Sequence, residues 1–294
     1  MRIAVSGGTG MIASALLRYA LLNGHEAIAI VRPSSSRMQN LPAGVKILSC
    51  DLKDYASFAP QEKVDVFFHL AWAKTSVFGR DDVRTQEENI AYTLGAVELA
   101  HRMGAKCFVG AGSQAEYGRK EEKIGSFTPV NPESGYGIAK YAAGKLSFLA
   151  CDKLGIRHCW TRILSVFGKG DAPTTLISYL AQCMKGGESP CLTPCEQIWD
   201  YLYVEDAARA LFLIGEKGVH GKTYPVGSGK GAPLSEYVLT MRSLLAPDLP
   251  ISFGGKAYYP HQPMYLVADL SELTKDTGFV PAYSFAEGIA EAYL

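Results

Sequence analysis

Six short apolar runs, at residues 2–6, 26–31, 46–50, 65–70, 106–110 and 158–164, alternate with helical patterns through the first half of the chain. That alternation leaves few folds open. Strands joined by crossover helices pair in parallel, and a parallel sheet has to be covered on both faces. The run Glu26-Ala27-Ile28-Ala29-Ile30-Val31 is apolar almost throughout rather than every second residue, as a strand buried on both faces requires. Helices are expected at 12–22, closed by Asn23-Gly24, at 82–103 with Val83, Ile90, Leu94, Val97 and Leu99 turned inward, and at 134–154. Beyond Gly168 prolines and glycines become frequent, and strands and helices mix at 171–185, 197–204, 205–214, 234–245 and 285–294. The expected fold class is therefore α/β: a doubly wound parallel sheet over residues 1–167, with a smaller C-terminal α/β lobe over 168–294 from which some segments return to the first domain.

The bulk numbers exclude several classes of partner. Lys and Arg total 29, Asp and Glu total 29, and the formal net charge is +0, so no overall field draws the chain to nucleic acid or to an anionic membrane. No apolar run is long enough to span a bilayer, and the short one after Arg2 runs straight into glycines rather than a leader cleavage site. Seven cysteines, an odd number, fit free thiols in a reducing cytoplasm better than a disulfide framework. Neither Cys191 and Cys195 nor the scattered histidines have metal-ligand spacing, so no metal is expected; His261 alone is placed where it could face a ligand.

The first run leads directly into Gly7-Gly8-Thr9-Gly10-Met11-Ile12-Ala13 and then into a helix. Glycines permit a tight turn and a close approach of backbone to a pyrophosphate, which sits where the free N–H groups of the helix start point. Strand, glycine turn and helix together are the mark of a Rossmann-type dinucleotide site. The end of the second strand decides which dinucleotide. An acid there would hold a ribose 2′-hydroxyl, but the chain reads Val31-Arg32-Pro33-Ser34-Ser35-Ser36-Arg37, and the forked guanidiniums of Arg32 and Arg37 suit a 2′-phosphate. NADP is expected, with NAD as the alternative.

Tyr136 and Lys140 stand four apart, on one helical face. A free tyrosine titrates near pKa ~10, and a neighbouring positive charge favours its phenolate. Such a phenol can give or take the proton that accompanies hydride transfer at a carbonyl.

With these residues in place the chain resembles the extended short-chain dehydrogenase/reductase family, the NAD(P)-dependent sugar-nucleotide epimerases, dehydratases and reductases. The resemblance runs from the N-terminal glycine loop through Asp51-Leu52, His69-Leu70-Ala71, Asn89, Ser113-Gln114-Ala115-Glu116-Tyr117-Gly118 and the Tyr136/Lys140 pair. It continues through Arg162-Ile163-Leu164-Ser165-Val166-Phe167-Gly168, Asp200-Tyr201-Leu202-Tyr203-Val204-Glu205-Asp206 and Thr277-Gly278-Phe279-Val280-Pro281. It implies that Ser113 bonds a substrate oxygen, that Tyr136 is the general acid/base, and that Lys140 holds the nicotinamide ribose and lowers the Tyr136 pKa. It further implies a cofactor surface of Gly7, Thr9, Gly10, Met11, Ile12, Asp51, Leu52, Leu70, Ala71, Ala73, Asn89 and Ile163, with Asp51 and Leu52 at the adenine. Substrate contacts are implied at Lys74, Ser113, Gln114 and Ser165, while Trp199 and Tyr259, read from their own chemistry, are candidates to stack on a base or a sugar face. Arg162 is expected to be structural, and a homodimer through the helices carrying Asn89 and Tyr136 is the default.

The family's dehydratases carry an acidic pair where this chain has Gln114 and Ala115, which cannot remove water, so dehydration is disfavoured. The second half looks most like bacterial reductases of CDP-4-keto-6-deoxyhexoses, the abequose synthase type. Together with the basic Arg32 loop this favours reduction of a keto-sugar over 4-epimerisation with a held cofactor, and a non-catalytic sensor is a minor alternative. One departure stands out. Trp199 occupies the place of an arginine that reaches the substrate diphosphate, and a second such arginine is replaced within 256–261, so a substrate without a diphosphate stays open.

Overall fold

A computed structural model describes residues 1–75, 79–259 and 262–294; His261 lies outside them. The expected order of elements is present: β1 (Arg2–Ser6), α1 (Met11–Leu22), β2 (Glu26–Val31), β3 (Lys46–Ser49), β4 (Val66–His69), α2 (Val83–Arg102), β5 (Cys107–Ser113), α3 (Gly135–Lys153) and β6 (Arg157–Ile163). The remainder comprises β7 (Ser165–Phe167), α4 (Leu176–Gly186), β8 (Ile198–Trp199), β9 (Tyr201–Tyr203), α5 (Val204–Lys217), β10 (Thr223–Val226), β11 (Ala232–Pro233), α6 (Leu234–Leu245), β12 (Tyr265–Leu266), α7 (Ser271–Thr277) and α8 (Phe285–Tyr293).

Seven strands form one parallel sheet in the order β10-β6-β5-β4-β1-β2-β3. Successive side chains leave it on opposite faces. Ile3, Val5, Val66 and Phe68 join the core under α1 and α5, while Ala4, Phe67 and Phe108 join the core under α2. Each of these buried Ile, Val and Phe side chains contributes roughly 1.5–3 kcal/mol. The strand order reverses between β1 and β4, and a crevice outside the carboxyl ends of the strands is the ligand site that this topology creates.

One expectation is corrected and three details are added. On α2, Val83 is exposed (69%), and Ile90 and Leu94 are only half-buried; the buried residues near its start are instead Gln86, Asn89 and Thr93. A polar face can go inward here because each of these side chains is hydrogen-bonded to the loop after β4 or to neighbouring buried groups. Within 171–185 the ordered element is a helix that begins at Leu176, where Thr175 caps it. Residues 197–204 hold two strands, β8 and β9, in different sheets and broken at Asp200. Finally, β10 was hidden by Pro225, which is tolerated because β10 is the edge strand.

Asp200 explains the break. Its buried carboxylate accepts the Ser228 N–H (2.7 Å), the Ser228 hydroxyl (2.6 Å), the Gly229 N–H (2.9 Å) and the Ala268 N–H (3.1 Å). One side chain thus ties β9 to the loop leaving β10 and to the segment before α7. Replacing Asp200 with Ala leaves three N–H groups without their acceptor, that of Ala268 buried, a loss of about 3 kcal/mol, so thermal unfolding of the variant is expected to fall by about 6–12 °C.

Candidate active site

The glycine turn after β1 is shaped by close approach. Gly7 has φ +71°, and a Cβ on it would stand 2.9 Å from the Ala71 Cα; a Cβ on Gly8 would meet the Ala29 Cβ at 2.8 Å. Both Gly7 and Gly8 donate to the Ile30 carbonyl, pinning the turn to β2. Gly10 caps α1 without a side-chain hydrogen bond, so the first-turn N–H groups beside Met11 and Ile12 are left for a ligand anion. The turn therefore fits a dinucleotide pyrophosphate, and the residues around it are Gly7, Thr9, Gly10, Met11 and Ile12.

The loop after β2 closes on this turn. The Thr9 and Ser35 hydroxyls are 3.1 Å apart, and the Asn40 amide donates to the Thr9 carbonyl at 3.2 Å. Arg32 and Arg37 flank Ser35 and are exposed, with no acid among residues 32–37. Asp51 and Leu52, half-buried, follow β3; the Asp51 carboxylate caps a short 3-10 turn there.

Between β4 and α2 the chain is organised by the polar face of α2. Asn89 accepts the Ala73 N–H (2.8 Å) and donates to the Ala73 carbonyl (3.1 Å). Gln86 accepts the Trp72 indole N–H (2.9 Å) and donates to the Gly79 carbonyl (2.9 Å). The Ala71 N–H donates to the Ser6 hydroxyl at 3.2 Å, itself 2.9 Å from buried His69. Burial, then Lys140, pulls the His69 pKa down to about 3, so this ring is neutral. Leu70, Ala71 and Ala73 are half-buried along this wall. Lys74 is exposed in a left-handed conformation, φ 54°, with its ammonium on Asp82.

Ser113, Tyr136 and Lys140 are brought together. Ser113 ends β5 and opens a turn whose Glu116 carboxylate accepts the Ser113 N–H at 2.8 Å. Gln114, in the same turn, is half-buried. Ser134 caps α3, whose first turns carry Tyr136 and Lys140. Gly137 lets α3 sit against the Ser113 turn, for a Cβ there would come within 2.5 Å of the Ala115 carbonyl oxygen. Burial raises the Tyr136 phenol above its ordinary pKa, while Arg80 and a hydrogen bond with Ser113 pull it back. Lys140 is fully enclosed: its ammonium donates to the Ala111 carbonyl at 2.5 Å and lies 3.6 Å from the centre of the Trp72 ring. Burial lowers its pKa to about 7, against the opposing pull of Glu116.

On the far wall, Ile163 closes β6 and Ser165 opens β7. The Trp199 indole N–H donates to the Ser165 hydroxyl at 2.8 Å, and the ring is half-buried. Tyr259 is exposed, its hydroxyl accepting from Lys256 at 3.1 Å. Arg162 is buried and paired to Glu116 at 2.7 Å. Two residues of the site were not foreseen in the sequence. Trp72 meets the Tyr136 ring edge-on, and the Arg80 guanidinium lies 5.0 Å from the centre of that ring.

Residues 3–227 match the model of the NAD dependent epimerase/dehydratase family. The chain belongs to that family and is an NAD(P)-dependent enzyme of the extended short-chain dehydrogenase/reductase type. Its relatives differ in reaction. UDP-glucose 4-epimerase of Azospirillum brasilense is 27% identical over 323 residues, covering 100% of this chain and 91% of that one. CDP-abequose synthase of Salmonella typhimurium is 26% identical over 303 residues, covering 98% and 96%. Among solved structures, UDP-glucose 4-epimerase of Thermotoga maritima with UDP-glucose superposes with a TM-score of 0.88 at 24% identity, over 100% of this chain and 97% of that chain.

Lys140 generates a test of the site's electrostatics. In the unfolded chain a lysine stays protonated to about pH 10.4, whereas in the folded protein Lys140 loses its proton near 7. Between those values the folded state binds fewer protons, so this group's contribution to stability rises with pH. The unfolding free energy of the protein minus that of Lys140→Met is expected to increase as pH goes from about 7 to 10. A flat difference, measured by chemical denaturation at each pH, would show that Lys140 keeps its charge throughout.

Proposed function

We propose that the protein is an NADP-dependent oxidoreductase that reduces a keto group of a sugar or nucleotide-sugar, with Tyr136 as the general acid. The observation that carries this reading is the convergence of Ser113, Tyr136 and Lys140 beside a turn whose shape suits a pyrophosphate. When bound, the dinucleotide supplies the hydride. Ser113 and Tyr136 would bond the substrate oxygen, and Tyr136 would deliver its phenolic proton to that oxygen as it becomes a hydroxyl. Lys140 would leave the Trp72 face to bond the nicotinamide ribose. Gln114 and Ala115 offer no carboxylic acid, which argues against loss of water at this site.

The preference for NADP rests on Arg32 and Arg37, two exposed guanidiniums at the end of β2 with no acid between them. Asp51 and Leu52 would border the adenine; Leu70, Ala71, Ala73, Asn89 and Ile163 would form the wall along the ribose, pyrophosphate and nicotinamide. Lys74, Gln114, Ser165, Trp199 and Tyr259 are proposed substrate contacts, Trp199 through its ring face. The proposed division is a dinucleotide domain over 1–167 and a substrate lobe mainly over 168–294, in a cytoplasmic homodimer. Exposed Ile138, Leu146 and Leu149 on α3 support pairing through α2 and α3.

A second reading, 4-epimerisation with the cofactor retained, is favoured by the likeness to a UDP-glucose 4-epimerase over the whole chain. One experiment separates the two. The purified protein is incubated with NADPH and a panel of 4-keto-6-deoxy and ordinary nucleotide sugars, with absorbance and product followed together. Reduction consumes NADPH in step with product, epimerisation interconverts two hydroxy-sugars without net consumption, and silence on every nucleotide sugar would mean that Trp199 selects a substrate without a diphosphate.

Two substitutions test the roles. Tyr136→Phe is expected to remove turnover, by 10²-fold or more as loss of a general acid allows (a range of about 10²–10⁴), while NADPH titration remains nearly unchanged. Arg32→Ala is expected to weaken NADPH far more than NADH; equal losses for the two would remove the case for NADP.

A further inference from the structure

The resemblance assigns Lys140 the task of keeping the Tyr136 phenol acidic, and the geometry places a second cation beside that ring. Lys140 is 5.7 Å from the centre of the Tyr136 ring, with its ammonium on the Ala111 carbonyl and the Trp72 ring. Arg80 is nearer, at 5.0 Å, and is held there from two sides. Its Nε donates to the Thr75 carbonyl at 3.2 Å, and its own carbonyl accepts the Tyr136 N–H at 3.1 Å. The arginine thus grips the backbone at the start of α3 while its charge lies over the ring one residue inside the helix.

We propose that Arg80 is a positioning residue for the reaction, fixing Tyr136 at the head of α3 and adding a permanent positive charge that helps make its phenol a usable proton carrier. The proposal rests on the reading of Tyr136 as the general acid/base. The charged and titratable groups around that phenol come from three elements: Arg80 from the loop before α2, Lys140 from α3 itself, and Glu116 from the turn after β5, with the Ser113 hydroxyl bonded to it. Glu116 works against ionisation and burial does so more strongly; Arg80 is the largest opposing influence. An arginine suits this place better than a lysine. Its charge is permanent, whereas the enclosed Lys140 is partly neutral near pH 7. Its plane can also lie over an aromatic ring while its Nε keeps the loop bond.

The test uses Arg80→Ala and Arg80→Lys, with Tyr136→Phe as reference. The rate of substrate oxidation, in which Tyr136 acts as base, is followed against pH. A unit charge removed from about 5 Å in a partly solvated site shifts the neighbouring group by about one pH unit. Arg80→Ala is therefore expected to move the basic-form limb of kcat/KM upward by about that much, a roughly tenfold loss near pH 7 that raising the pH recovers. Arg80→Lys should restore most of the limb's position. A second readout needs no substrate: in fluorotyrosine-labelled protein the 19F resonance missing from Tyr136→Phe belongs to this phenol, and its titration should move upward in Arg80→Ala. An Arg80→Ala variant whose limb and resonance titrate as in the unaltered protein overturns the proposal, even if its rate is lower at every pH. Retained turnover in Tyr136→Phe would instead remove the reading beneath it, and is seen without touching Arg80.

Discussion

The buried pair of Glu116 and Arg162 is the interaction on which the site is built. Glu116 is fully enclosed and accepts from the Ser113 N–H (2.8 Å), the Trp160 indole (3.0 Å) and the Arg162 Nε (2.7 Å). Taking two charges out of water is costly, and a pair of this kind persists only when its remaining lone pairs are satisfied. Here they are, by groups from β5 and β6 as well as the turn itself. The consequence is positional. The Ser113 turn cannot shift without breaking bonds to two strands, and α3 is packed directly against that turn at Gly137. Ser113 and Tyr136 are therefore set relative to each other by one carboxylate that need not touch a substrate.

The opposite wall is held by a different device, the polar inner face of α2. Gln86, Asn89 and Thr93 spend their hydrogen bonds on the loop after β4 and on its neighbours, so a segment with little apolar anchorage is still fixed at Trp72 and Ala73. Trp72 then closes over Lys140. An ammonium with one carbonyl and one ring face is poorly compensated for lost water, and this is why its pKa falls as far as about 7. On the proposed reading, a ribose hydroxyl of the bound cofactor would relieve this state of Lys140.

The sheet was legible in the sequence because strands buried on both faces are written as apolar runs, and the glycine turn because Gly7 and Gly8 have no room for a Cβ. Tyr136 and Lys140 were legible because helical spacing alone puts them on one side. The inner face of α2 was misread for a physical reason. Periodicity identifies apolar stripes, and a face buried through hydrogen bonds carries none, so Val83 was turned inward and Gln86 passed over. Arg80 left no trace at all, since a loop arginine reaches its ring only after β4, α2 and α3 are in place. The breaks at Asp200 and the strand at Pro225 were equally hidden, because each depends on a partner far along the chain: Ala268 for Asp200, and Arg162 on β6 for Pro225.

The distribution of charge around the proposed substrate space follows from these placements. A diphosphate is ordinarily read by a guanidinium fork, yet the indole N–H of Trp199 is already spent on Ser165, which leaves the ring face as what this residue can offer. Two cations, Arg80 and Lys140, lie instead at the Tyr136 end of the site. Lys74 sits on Asp82, Arg80 over Tyr136, and Lys140 beneath Trp72. Positive charge gathered there stabilises a developing oxyanion or phenolate more than it stabilises a distant phosphate, because the interaction falls with distance and is screened by solvent. Selection of substrate on the proposed reading therefore rests on stacking and shape at Trp199, while the electrostatic effort of the site is concentrated on the oxygen that exchanges its proton with Tyr136.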